Sequence, residues 1–83
     1  MPTREARAAY SDAQHLLEQL RVVHTREIDE LNRFHEATDP VEASEIHDKI
    51  DGLRTEWTDL FNEYTDAIAR YTVAVQQSRV ERR

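Results

Sequence analysis

Residues 46–78, IHDKIDGLRTEWTDLFNEYTDAIARYTVAVQQS, carry apolar side chains in strict seven-residue time. Alternate steps of four and three pick out Ile46, Ile50, Leu53, Trp57, Leu60, Tyr64, Ala67, Tyr71, Ala74 and Ser78. That spacing lines one face of an α-helix, whereas a strand would require simple alternation. A second seam overlaps the first through Trp57, Phe61, Tyr64, Ile68, Tyr71 and Val75. The resulting apolar face is too wide for one neighbouring helix, so the spacing predicts a helix covered on two sides.

The start of this helix is written in Asp39-Pro40-Val41-Glu42. Asp39 is the expected N-cap, accepting from the Glu42 amide while the Glu42 carboxylate reaches back, and Pro40 fits the first helical position, where no amide donor is needed. Upstream, Ala6, Ala9, Tyr10, Ala13, Leu16, Leu17, Leu20, Val23, Ile28, Leu31 and Phe34 recur at three and four, predicting a first helix over about 3–36. The second is expected over about 40–79, with a turn at 37–39. So short a link makes the helices antiparallel, with residue numbers at one level totalling about 80. Leu20 is then expected opposite Leu60, Val23 opposite Trp57, Ala13 opposite Ala67 and Ala9 opposite Tyr71. The alanines near the N-terminus leave room for the tyrosines of the second helix. Fraying is expected after Phe34 and after Val80. Gly52 interrupts the second helix and is explained by a close backbone approach, a mild kink or a tolerated surface position.

One Gly, two Pro and 34 % charged residues in 83 positions suit long helices and leave little material for turns. The expected class is all-α, a single helical-hairpin domain over 1–83. A two-helix hairpin of this size buries too little apolar surface to offset chain entropy alone. The sequence has no Cys, so no disulfide can staple it, and oligomerisation is the expected remedy. A homodimeric four-helix bundle of coiled-coil character follows, with Leu20, Leu53, Trp57, Leu60, Phe61, Tyr64, Ile68 and Tyr71 in its core and dimer seams. No stretch is apolar enough to span a bilayer and no leader-like segment follows Met1, so the expected location is cytoplasmic, away from membranes.

The net charge of −6 conceals a segregation: residues 27–66 carry −10, residues 1–26 carry +1 and residues 67–83 carry +3. In an antiparallel hairpin the turn end is acidic and the open end basic. Two hairpins stacked head to tail match these ends, which favours an antiparallel dimer. Glu42, Glu45, Glu56, Asp59, Glu63 and Asp66 form an acidic stripe interrupted by Lys49 and Gly52. Such a row either solvates the helix or imitates a line of phosphates toward a nucleic-acid-binding protein. Arg4, Arg7, Arg70, Arg79, Arg82 and Arg83 make only a small basic end, so nucleic acid itself is not the expected ligand.

Enzymatic chemistry finds no footing. A phosphate-binding loop needs several glycines, and Ser11, Ser44 and Ser78 do not lie in Gly-flanked turns. Arg21, Arg26, Arg33 and Arg54 fall mainly outside the apolar seams, unlike the inward cations with which small helical mutases hold dicarboxylates. His24 and His35 lie eleven residues apart, roughly 16 Å along one helix, too far to share an ion. His15 with Glu18 and His24 with Glu27 have i,i+3 spacing, but no Glu-x-x-His pair of the di-metal bundles occurs. No metal and no cofactor are expected. His24 is expected at the edge of the core and the other histidines in solvent. Trp57, Phe61, Tyr64 and Tyr71, at helical spacing in a continuous apolar stripe, read as core rather than as a ligand box.

The expected outline is similar to that of the plasmid regulator Rop, whose helical hairpins pair antiparallel into a four-helix bundle. No residue motif is shared, so the likeness is one of form alone. The first functional expectation is a non-enzymatic protein–protein interaction module, in its sharpest version a small acidic inhibitor of phage or mobile-element type. It would block a host nucleic-acid-binding protein through the acidic stripe. The alternatives are an assembly subunit completing a hetero-helical bundle and a Rop-like regulator using the Arg-rich ends.

Overall fold

In a computed structural model describing residues 3–81, the chain is a hairpin of two helices, α1 (Arg4–Glu36) and α2 (Pro40–Glu81). No strand occurs among the described residues. The hairpin is about 66 Å long and one helix pair wide. Among the described residues no helix is long and apolar enough to cross a membrane.

The helix ends follow from local side-chain chemistry. Thr3 holds an extended backbone and its Oγ1 accepts from the Ala6 amide at 3.1 Å, so α1 begins at Arg4. Ala37 leaves the helix at φ −68°, ψ 129°, while its amide still donates to the Phe34 carbonyl at 3.3 Å. Asp39 is the cap of α2 as expected, but its Oδ1 accepts from Val41 at 3.1 Å rather than from Glu42. The second or third amide of a helix serves equally well in this role. The Asp39 carbonyl then accepts from Ala43 at 2.9 Å, closing the first turn. Residues 37–39 are the turn, and α2 runs two residues past its expected end. Arg82 and Arg83 lie outside the described residues, as does the last part of the expected fraying.

The antiparallel register is visible in contacts that cross between helices. The Tyr10 and Tyr71 rings lie 5.7 Å apart, Glu27 meets Arg54 at 3.1 Å, Asp12 meets Arg70 at 3.4 Å, and the Phe34 and His47 rings are 6.3 Å apart. The paired numbers total 81 or 82, one or two residues from the register expected.

All ten positions of the first α2 seam face α1: Ile46, Ile50, Ala67 and Ala74 are buried, and Leu53, Trp57, Leu60, Tyr64, Tyr71 and Ser78 are half-buried. From α1 the buried positions are Ala6, Ala9, Ala13, Leu20 and Val23, with Leu16 half-buried. The alanines of the open half lie against the Tyr64–Ser78 stretch of α2, a small-against-large match. Toward the turn the α1 seam departs from expectation. Steps of three and four from Ala6 through Val23 arrive at Glu27 and Glu30, which are half-buried, whereas Ile28, Leu31 and Phe34 are exposed. Ile28 and Leu31 are one step out of phase with the seam, a rotation of about 100°, while Phe34, four residues after Glu30, returns to the seam phase and faces the His47 ring across the hairpin.

Gly52 is not a close-approach site, because a Cβ built on it meets nothing within 4 Å. It is a tolerated surface glycine.

The core is thin. Among the described residues no large side chain is fully buried, and the residues at zero exposure are the small Ala6 and Ala67. Large apolar side chains remain exposed, including Tyr10 (51 %), Leu17 (37 %), Phe61 (44 %) and Ile68 (39 %).

Candidate interaction site

The exposed apolar residues are not scattered. In an antiparallel helix pair, positions one residue after the second seam position of each repeat fall on the same flank of both helices. On α1 those positions are Tyr10, Leu17, His24 and Leu31; on α2 they are His47, Arg54, Phe61, Ile68 and Val75. Cross-helix contacts confirm the shared flank, since Tyr10 meets the Tyr71 ring and Arg54 reaches the Glu27 carboxylate on this side. Phe61 also lies flat on Trp57, with centroids 5.0 Å apart and planes 9° from parallel. Half of this flank is therefore aromatic and aliphatic, and toward the turn it gives way to the Glu27–Arg54 pair and His47. Phe61 and Ile68, expected within the core and dimer seams, thus lie on the open side of the hairpin. Leu20, Leu53, Trp57, Leu60, Tyr64 and Tyr71 line its inner seam.

The opposite flank is charged. There α1 contributes Glu5, Asp12, Gln19 and Arg26, and α2 contributes Lys49, Glu56, Glu63 and Arg70. Arg70 bridges the helices, reaching Asp12 at 3.4 Å and Asp66 at 3.3 Å. A shallow open groove beside it is lined by Asp12, His15, Glu63 and Asp66, and another nearer the turn by Arg26, Arg33, Lys49 and Glu56.

All six residues of the acidic stripe are exposed. Glu42, Glu56 and Glu63 lie on the charged flank, and Glu45, Asp59 and Asp66 one step further round. The stripe is less uniform than its sequence suggests. Asp66 is held by Arg70, and Glu56 shares its groove with Arg26 and Arg33 from the other helix. Arg26 and Arg33 come from across the hairpin, where spacing within α2 cannot reveal them, whereas Arg70 is four residues from Asp66 on α2 itself.

The histidines depart from expectation in detail. His24 is exposed rather than at the core's edge, as are His15, His35 and His47. Glu27 bonds to Arg54 instead of His24, and Glu18 faces Arg21 at 3.8 Å instead of His15. His47 Nδ1 lies 3.5 Å from Asp51 Oδ2, and with Asp48 the potential ligand atoms fall within 4.8 Å of one another. All three side chains are exposed on an acidic helix, where i, i+1 and i+4 spacing alone produces such a cluster. The chain matches no protein-family profile, no curated protein and no solved structure.

Proposed function

We propose that this chain is a non-enzymatic protein–protein interaction module that works as a homodimer. Two hairpins join by their apolar flanks into a four-helix bundle and turn their charged flanks outward. The observation that supports this reading most is the unlikeness of the two flanks. One exposes Tyr10, Leu17, Phe61 and Ile68 beside a core too thin for independent stability, and the other carries the mixed charges of a solvated surface. Covering the first flank with a second copy supplies the burial the hairpin lacks. The segregation of charge between turn end and open end favours a head-to-tail arrangement.

Light scattering coupled to size exclusion tests this directly. The wild-type chain is expected at twice its 9.8 kDa mass across a concentration series. Phe61→Asp combined with Ile68→Asp, which places two charges on the apolar flank, is expected to shift it to monomer. A wild-type monomer at every concentration would sink the homodimer and favour a hairpin completed by a different helical protein.

In the dimer the acidic stripe is the outward surface, and the partner we propose for it is a protein with a basic, nucleic-acid-binding groove. Binding of that kind weakens steeply as salt is raised. Glu56→Gln, Asp59→Asn and Glu63→Gln together are expected to abolish it while leaving helicity unchanged by circular dichroism. Retained affinity in the triple variant would reduce the stripe to a solubilising surface.

A further inference from the structure

The outer face of α2 carries a second strict heptad seam, Arg54, Thr58, Phe61, Thr65, Ile68, Thr72, Val75 and Arg79, again in steps of four and three. Three of its members are threonines at seven-residue spacing, and all three are used alike. The hydroxyls of Thr58, Thr65 and Thr72 donate to the carbonyls of Arg54, Phe61 and Ile68 at 2.9, 2.9 and 3.0 Å. With its hydrogen committed to the helix backbone, each threonine is a small side chain with no donor left to satisfy across an interface. The seam is therefore a row of large apolar residues separated by small, internally bonded ones.

The order of that row is nearly the same in both directions about Thr65. Thr58 and Thr72 lie seven residues to either side. Phe61 lies four before and Ile68 three after. Fourteen residues out are Asp51 and Arg79, both exposed and of opposite charge. A two-fold interface is self-complementary: if residue i meets residue j of the second copy, j meets i. With two copies of this seam antiparallel and Thr65 on the axis, the pairs formed are threonine beside threonine at 58 and 72, Phe61 beside Ile68 and Asp51 facing Arg79, and only Arg54 beside Val75 pairs a charge with an apolar side chain.

We infer that the occupant of the apolar flank is a second copy of this chain, docked antiparallel with the two-fold axis passing at Thr65 of α2. The inference rests on the homodimer reading and adds its face, direction and register. Phe61 packs beside Ile68 of the second copy, Thr58 beside Thr72, and Asp51 faces Arg79. Small residues at the axis let the α2 backbones approach while the large ones interdigitate on either side. On α1 the level of Thr65 falls at about residue 16 by the register of the cross-helix contacts, so Leu17 stacks close to its own copy. The axis lies toward the open end, so the basic residues 67–83 of one hairpin overlie the acidic middle of the other. The Ile28 and Leu31 side chains left outside the inner seam also fall under this overlap.

The absence of cysteine makes the test clean. Three full-length variants, Thr58→Cys, Thr65→Cys and Thr72→Cys, are oxidised separately and in mixture, after circular dichroism confirms wild-type helicity. A disulfide requires Cα atoms within about 7 Å. Thr65→Cys alone is expected to convert almost wholly to a species of doubled mass on non-reducing gels. The other two are expected to stay single when oxidised alone, because each would lie about 21 Å from its own copy at 1.5 Å per residue. Mixed together, they are expected to cross-link to each other. Self-linking of Thr58→Cys or Thr72→Cys, with Thr65→Cys unlinked, would overturn the register. A dimer by light scattering with none of the three linking would overturn the face, whereas a wild-type monomer would remove the homodimer reading itself.

Discussion

Leu20→Asp is expected to melt the hairpin. Leu20 is 6 % exposed and lies where the alanine-lined half of the α1 seam gives way to larger side chains. Removing a buried leucine costs about 2–5 kcal/mol through lost transfer energy and the cavity left behind. A carboxylate in its place adds the cost of an ion among apolar neighbours, relieved only by protonation or by opening the helices to water. At about 0.05–0.15 kcal/mol per residue, a chain of this size holds roughly 4–12 kcal/mol in all. The substitution therefore removes most or all of the stability, and the helical signal in far-ultraviolet circular dichroism is expected to collapse at 25 °C. Val22→Asp is the matched control. Val22 is 45 % exposed on the outer surface, where a charge costs no more than about 0.5 kcal/mol. Equal melting of the two variants at matched concentration would refute the assignment of the inner seam.

The reason Leu20 can be singled out is that the inner seam was largely legible in the sequence. Ile46 through Ser78 keep seven-residue time without a break, and all ten positions face α1 in the structure. The turn was legible for a different reason, since Asp39 and Pro40 combine a side-chain acceptor with a residue lacking a donor, a pairing that suits a helix start. What escaped was the phase of α1 beyond Val23. Local hydrophobicity favours Ile28 and Leu31, but phase is set by the whole face of the partner helix. A helix already docked from Ala6 to Val23 cannot rotate by a residue to suit its last turns. Hence two glutamates enter the seam and Ile28 and Leu31 leave it.

The candidate surfaces were legible in part and for similar reasons. The excess width of the α2 apolar face announced a second contact, and that face remains open in the single chain. The threonine seam escaped because threonine reads as polar until its hydroxyl is seen bonded to its own backbone. The acidic stripe was legible as a row, and the Asp66–Arg70 pair follows from i,i+4 spacing within α2, but the placement of Arg26 and Arg33 beside Glu56 depends on which flanks face one another across the hairpin. That follows from the antiparallel register rather than from spacing within either helix.

Glu30→Leu is expected to stabilise the protein. The Glu30 side chain is only 16 % exposed, Oε1 lies 3.5 Å from an Arg33 nitrogen, and Oε2 is buried with no hydrogen-bond partner. A buried polar atom left unpaired costs about 1–3 kcal/mol, and exchange of a poorly satisfied ion for a packed apolar side chain is commonly neutral or favourable by about 1–4 kcal/mol. Arg33 is 67 % exposed, so water solvates its guanidinium once the glutamate is gone. A gain of about 1–3 kcal/mol is expected, visible as a rise in melting temperature of roughly 4–8 °C per kcal/mol for a domain of this length. Glu27→Leu is expected to gain less, because Glu27 is well bonded to Arg54 at 3.1 Å and its loss gives up a charge-assisted hydrogen bond. The ranking carries the argument: both glutamates hold inner-seam positions, but of the two only Glu30 retains a buried oxygen without a partner. If Glu30→Leu melts below wild type while Glu27→Leu melts above it, the phase assigned to α1 near the turn is wrong. If both rise in the stated order, the two glutamates hold back an inner seam that would otherwise be apolar throughout. The hairpin is then weakest around Glu27 and Glu30, and by the register proposed for the dimer the open end of the second copy would lie over that stretch.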